Sequence, residues 1–157
     1  MVTSVPDPAE RFARALAAAP EVEGIPWAPL RKPLSQCRVA LVTTGGVHLK
    51  SQQPFDIEND GYDWSYREIP STTQAGELMV THNHYDHAHV DQDINYMLPI
   101  DRFRDLVTQG AVGSLGPRGF SFYGYIRNPQ ALADTTAKEV AAHLQTDAVD
   151  AVFLTPA

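Results

Sequence analysis

The sequence predicts an α/β fold built on a mostly parallel sheet, and three observations lead to it. Apolar runs of strand length recur at residues 38–43 (RVALVT), 77–81 (ELMVT) and 149–154 (VDAVFL). Runs with so little polar alternation suit strands buried on both faces. Segments with helical spacing, 100–109 and 129–144, fall between them, and strands alternating with helices close a parallel sheet through helical crossovers.

Taken in order, residues 6–18 read as a short helix, opened by Pro6 and Pro8, with Phe12, Ala15 and Leu16 recurring at helical spacing. Residues 20–33 carry Pro20, Pro26, Pro29 and Pro33 and cannot form regular structure. They are expected to lie across the surface as an arm anchored by Trp27 and Leu30. The chain thus divides into an N-terminal helix and arm, 1–33, and an α/β domain, 34–157. In the domain, strands are expected at 38–43 and 77–81, then a less regular strand region from 111–115 with 119–122, and a last strand at 149–154. The helix over 100–109 stops at Gly110, and the helix over 129–144 gathers Leu132, Val140 and Leu144 on one face. About four strands with flanking helices in this order fit a Rossmann- or flavodoxin-like sheet. A parallel strand buried on both faces feeds a covering helix, and none follows 149–154. The fold is therefore expected to be incomplete after its last strand, covered there by another chain or by further polypeptide.

Composition narrows the function. With 43% hydrophobic and 20% charged residues, the 157-residue chain is in the globular range and long enough to bury a core. A net charge of -7 argues against unspecific nucleic-acid binding, which needs clustered Lys and Arg. No apolar run reaches the roughly 20 residues that span a bilayer, and the N-terminus lacks the pattern of a secretory signal. Cys37 is the single cysteine, so no internal disulfide, redox pair or thiolate zinc site can form. A cytoplasmic location is the expectation.

Ligands of open parallel sheets bind beyond the carboxyl ends of the strands. There the sequence places Thr43, Thr44, Gly45, Gly46 and His48, then the run 81–93 (THNHYDHAHVDQD), then Tyr123 and Tyr125. The Thr-Thr-Gly-Gly turn is either an anion cradle with free backbone N–H groups or a tight turn that needs a glycine at positive φ. His82, His84, Asp86 and His87 have the ligand types of a zinc or iron site. Their spacing resembles the signature loop of metallo-β-lactamase-type hydrolases, although Ala88 and His89 replace the expected glycines. The other reading is an exposed, His-rich polar loop. Asp91, Asp93 and Asn95 continue that loop as ligands or turn formers, Asp101 is expected to cap the next helix, and His143 to face solvent near a helix end. Cys37, just before a strand, reads as a buried small residue.

Several separated blocks occur in the order found in one family: LRKPLSQCRVALVTTGGVHLKSQQPFD, YREIPS, HNHYDHAHVDQDINYMLPIDRFRDLVTQGAVG, GFSFYG and DAVDAVFLTPA. From about Pro29 to Ala157 the chain resembles the selenoprotein-B-type subunits of the D-proline and glycine/sarcosine/betaine reductases, the D-proline type more closely. The resemblance implies a subunit that acts with a pyruvoyl-carrying partner in reductive C–N cleavage of a small amino acid or amine. A selenocysteine or cysteine is the family's nucleophile, and it follows closely on the segment matching LTPA. This sequence ends there, so the resemblance implies a nucleophile beyond Ala157, as expected where a selenocysteine codon is read as a stop. Transferred by position, Thr43, Thr44, Gly45, Gly46, His48 and Asn95 are the expected substrate-binding residues, with His82 and Asp86 near the missing nucleophile. A second reductase subunit or a homo-oligomer is the expected partner. The alternative is a paralogue without reductase activity that binds a metal or a partner, and the His-rich loop keeps that reading open.

Overall fold

The computed structural model describes residues 28–157 except residue 60. The helix expected over 6–18 and most of the proline-rich arm lie outside the described residues. The first apolar run forms β1 (Arg38–Thr43), the central strand, which buries Val39, Ala40, Leu41 and Val42. β5 (Ser114–Leu115) and β6 (Arg118–Phe122) pair with it in parallel, one after the other along the same side. β7 (Ala151–Thr155) runs parallel along the opposite side, from Val39 against Ala151 to Thr43 against Thr155. β3 (Tyr66–Pro70) closes the far edge by pairing antiparallel with β6. The sheet is therefore mixed and mostly parallel, as expected.

Helices lie on both faces. α1 (Ile100–Thr108) sets Phe103, Leu106 and Val107 against Cys37, Val39 and Val112. On the other face, α2 (Pro129–Asp134) and α3 (Thr136–Thr146) bring Leu132, Val140 and Leu144 onto Val42, Phe120 and Phe122. The alternation along β1, with Val39 and Leu41 to one side and Val42 to the other, is the period-2 pattern that lets one strand serve two layers.

Three details differ from the sequence expectation. Residues 77–81 do not join the main sheet. A 3-10 turn at Ala75–Glu77 precedes β4 (Leu78–Val80), which pairs antiparallel with β2 (Val47–Leu49) in a separate two-stranded sheet. The reason is the turn after β1: it sends the chain straight into β2, and β2 takes β4 as its partner. β3 was not expected, because Arg67, Glu68 and Pro70 break any apolar run; only Ile69 is fully buried there. The long helix over 129–144 is two helices, broken where Thr135 leaves helical geometry (φ -121, ψ -92). The Thr135 hydroxyl turns back to the Ala131 carbonyl, and the Thr136 hydroxyl donates to the Trp64 carbonyl at 2.7 Å. Threonine hydroxyls that bond neighbouring carbonyls bend helices in this way.

β7 pairs with β1 alone among the described residues. No helix among the described residues is long and apolar enough to cross a membrane.

Candidate functional site at the strand carboxyl ends

β6 lies on one side of β1 and β7 on the other, and their helices cover opposite faces. In open α/β sheets ligands bind outside the carboxyl ends of the strands, where crossovers run to opposite sides, here between β1 and β7. β1 runs into Thr44, Gly45 and Gly46. Gly46 has φ +67, and a Cβ there would collide with the Thr81 carbonyl, so no other residue fits without strain. A side chain at Gly45 would overlap Met97.

The N–H groups of this turn are not free. Thr44 N–H donates to the Thr155 carbonyl (3.0 Å), Gly45 N–H to Thr43 Oγ1 (3.1 Å) and Gly46 N–H to the Phe122 carbonyl (2.9 Å). The turn is therefore the tight turn, and the reading of it as an anion cradle with free N–H groups is corrected. Two of its three donors are spent on residues far away in sequence, Thr155 and Phe122. Thr43, fully buried, also donates its hydroxyl to the Thr155 carbonyl (3.1 Å), and Thr44 Oγ1 accepts from Ala157 N–H (3.0 Å). The threonine pair clamps residues 155–157 to the end of β1.

The loop after β4 folds over this turn. Thr81 N–H donates to the Gly46 carbonyl (2.9 Å), and the Tyr85 hydroxyl donates to the Gly45 carbonyl (2.8 Å). Burial, with the Asp91 charge nearby, pushes the Tyr85 phenol up to about 12, so it remains a donor. His48 is fully buried. Its Nδ1 faces the Leu49 carbonyl at 2.8 Å and must carry the proton, so Nε2 accepts from the Thr81 hydroxyl at 2.8 Å. His48 thus supports the loop from beneath. Asn95 is also occupied: Asp101 N–H donates to its Oδ1 (2.9 Å), and its amide donates to Asp93 and Asp101 where α1 begins.

His82 is 8% exposed. Its Nδ1 accepts from His84 N–H (3.0 Å), and its other ring nitrogen bonds the backbone of Tyr123. Burial first, and then the neighbouring His84 and His87, hold its pKa down to about 4, so the ring is neutral near pH 7. Among the described residues no group of three or more His, Cys, Asp or Glu side chains is disposed to hold a metal ion. Of the four expected ligands, His82 is saturated by backbone partners, Asp86 accepts from Ala88 N–H (2.9 Å), and His84 lies against the Tyr125 ring with centroids 3.9 Å apart. His87 keeps a buried Nε2 without a hydrogen-bond partner.

The structure instead assembles a wall of rings packed at a tilt to one another. His82 packs on Tyr85 (4.6 Å) and on Tyr123 (4.8 Å), and Tyr85 on His87 (4.7 Å). The Tyr123 hydroxyl donates to Asn83, while the Arg127 guanidinium lies over Tyr125 at 5.6 Å. The solvent side of the wall is His84 with Tyr125, which is 38% exposed. The Tyr125 face already attracts the Arg127 cation, as tyrosine faces do. The sequence singled out His84, Tyr123 and Tyr125; it missed Tyr85 and Asn83, whose one signal was their place among the histidines. Cys37 sits at the other end of β1, fully buried, with its thiol directed to the Pro33 carbonyl at 3.3 Å. A six-residue strand separates it from the site by about 20 Å.

Known proteins give this geometry a context. A family model described as glycine/sarcosine/betaine reductase selenoprotein B matches residues 9–157. The D-proline reductase subunit gamma of Acetoanaerobium sticklandii is 38% identical over 129 residues, which cover 82% of this chain and 52% of that protein. The glycine reductase complex component B subunit gamma of Symbiobacterium thermophilum is 31% identical over 141 residues, 87% of this chain and 32% of its own. The sarcosine reductase complex component B subunit beta of Peptoclostridium acidaminophilum is 30% identical over 145 residues, with 87% and 31% covered. The chain thus spans about half the length of the first relative and about a third of the other two. No solved structure matches it.

Proposed function

The chain belongs to the glycine/sarcosine/betaine reductase selenoprotein B family, and from that membership we propose that residues 34–157 are the site-bearing α/β domain of a reductase subunit, of the D-proline reductase kind. Its layered, mostly parallel sheet supports a Rossmann- or flavodoxin-like reading of the fold. In the proposed reaction a nucleophile takes the α-carbon of an amino acid or amine, held by a pyruvoyl-carrying partner subunit, as the C–N bond breaks. The nitrogen leaves with its electron pair and a proton. One thiol of a dithiol then bonds the nucleophile atom as its bond to carbon breaks, the carbon takes a proton to become C–H, and the second thiol releases the nucleophile as the disulfide closes.

The observation that carries this reading is the ring wall of His84, Tyr123 and Tyr125 beside the clamped residues 155–157, at the carboxyl ends of β1, β6 and β7. In this reading Tyr125 and His84 face the amine, and His84 is placed to hand a proton to the leaving nitrogen. The nucleophile comes from outside residues 1–157, because Cys37, the single cysteine, is buried at the wrong end of the sheet.

The test joins the chain to the part of the Acetoanaerobium sticklandii subunit that it does not match. The product is combined with the other subunits of that reductase and assayed for ring opening of D-proline with a dithiol donor. The 157-residue chain is expected to give no turnover, the extended chain to give turnover, and His84→Ala in the extended chain to lower it by about 10²-fold. A folded, extended protein inactive on D-proline, glycine, sarcosine and betaine sinks the reading. A metal-binding paralogue is the second reading, favoured by the partnerless Nε2 of His87. Zinc or iron bound stoichiometrically by the purified chain, and lost in His87→Ala, supports it; a metal-free chain removes it.

A further inference from the structure

β7 has the composition of an interior strand and the surroundings of an edge. Residues 151–154 are apolar without a break, yet Val152, Phe153 and Leu154 are 38%, 44% and 69% exposed. The strand carries none of the lysines, bulges or internal prolines that protect natural edges. On the α3 face, Val152 and Leu154 form one wall of an apolar groove of about 530 Å³, with Phe122, Leu132, Val140 and Leu144 opposite. On the α1 face the Phe153 ring meets Phe103, with centroids 5.0 Å apart, and remains almost half exposed. Covering this strand takes a ladder partner for its edge and apolar side chains for both faces.

We propose that the edge and the groove are filled by one further parallel strand with its crossover helix, belonging to the length by which the curated relatives exceed this chain. Two other occupants fit less well. The one apolar run of residues 1–27, 15–19 (ALAAA), is made of strong helix formers that are poor in strands, and Pro6, Pro8, Pro20 and Pro26 have no N–H to donate to a ladder. A second copy related by a two-fold axis can meet β7 only antiparallel, which leaves its helices badly placed for grooves on both faces. Unbroken apolarity is the mark of a strand flanked by parallel neighbours and covered by helices on either side. A parallel neighbour needs a connection of a dozen or more residues, and the unmatched half of the D-proline reductase subunit is ample for it. The inference rests on family membership and on the shape of β7, and is independent of which reaction the family member performs.

Hydrogen exchange tests it, on the full 157-residue chain and on the same chain extended with the unmatched part of the Acetoanaerobium sticklandii subunit. In the 157-residue chain the β7 amides not bonded to β1 are expected to exchange quickly, and a dye for apolar surface to bind. In the extended protein those amides are expected to slow by about 10²-fold or more and the dye to be lost. Unchanged exchange in the extended protein overturns the proposal. Protection in the 157-residue chain alone also overturns it: if protection grows with concentration the occupant is a second copy, and if it disappears on removing residues 1–27 it is the N-terminal segment. Should the extension not fold, the matching strand is read in the intact relative, where fast exchange is equally fatal. Because the readout is protection and not turnover, its failure is distinct from failure of the reductase reading.

Discussion

At the scale of single residues, His82 shows how a side chain chosen for its chemistry can turn out to be a structural joint. The sequence shows an imidazole at a strand end; it does not show that Tyr123, 41 positions away, and the His84 backbone take both ring nitrogens. The Thr44–Gly46 turn is the same case, since its N–H groups look free until Phe122 and Thr155 are placed beside them. Occupancy by long-range partners is set by tertiary structure and leaves no local signature, whereas the strand ends that mark the candidate edge are legible from the apolar runs alone. The His82 joint has a measurable consequence. Its folded pKa of about 4 lies below the usual 6.5, so the unfolded chain binds the extra proton first. The stability this group contributes is complete above pH 6.5 and is lost as pH falls toward 4, on the order of 3 kcal/mol. Denaturant titrations from pH 7 to pH 4 should show that decline in the native chain and a shallower one in His82→Gln. Parallel slopes for the two proteins refute the assignment.

At the scale of elements, β1, α1 and β7 were legible because each carries one dominant signal: an unbroken apolar run, helical spacing ended by Gly110, and a second apolar run. β3 and β4 were missed or misplaced for a shared reason. A strand of five or three residues is defined by its partner, and Tyr66–Pro70 reads as polar until β6 is set against it. The break between α2 and α3 depends on Thr135 and Thr136 finding carbonyl acceptors, one of them 72 residues away. The end of α3 yields a prediction. Ala148, just past the helix, has φ +52, and its N–H and that of Val149 close the last turn on Gln145 and Leu144. Glycine is the residue that holds this left-handed position without a Cβ penalty. Ala148 is exposed, so removing its methyl leaves no cavity. Ala148→Gly is expected to stabilise the domain by about 0.5–1 kcal/mol in urea unfolding; a loss of stability shows that the helix does not end in this conformation.

At the scale of the whole molecule, the sheet separates two ends of different make-up. The carboxyl end carries the rings and the clamped segment, while the amino end, where Cys37 lies, is closed core. Cys37 is held among Val39, Val112, Leu106 and Ala151, contributions from β1, β7 and the region of α1. Its carbonyl accepts from Ser114 N–H (3.0 Å), so the residue is fixed by backbone as well as by packing. No local opening of one loop frees it; β1, β5 and α1 must part together. Its reaction with a thiol reagent should therefore report global unfolding. For a domain of ordinary stability, labelling of the native protein is expected to be slower than that of the unfolded chain by a factor on the order of 10³ or more. The rate should rise with urea in proportion to the unfolded fraction, following the same midpoint as the loss of secondary structure. A redox thiol behaves in the opposite way, reacting at once in the folded protein and indifferent to small amounts of denaturant. Immediate labelling of Cys37 in the native chain would remove the ground on which the proposed function places the nucleophile outside residues 1–157.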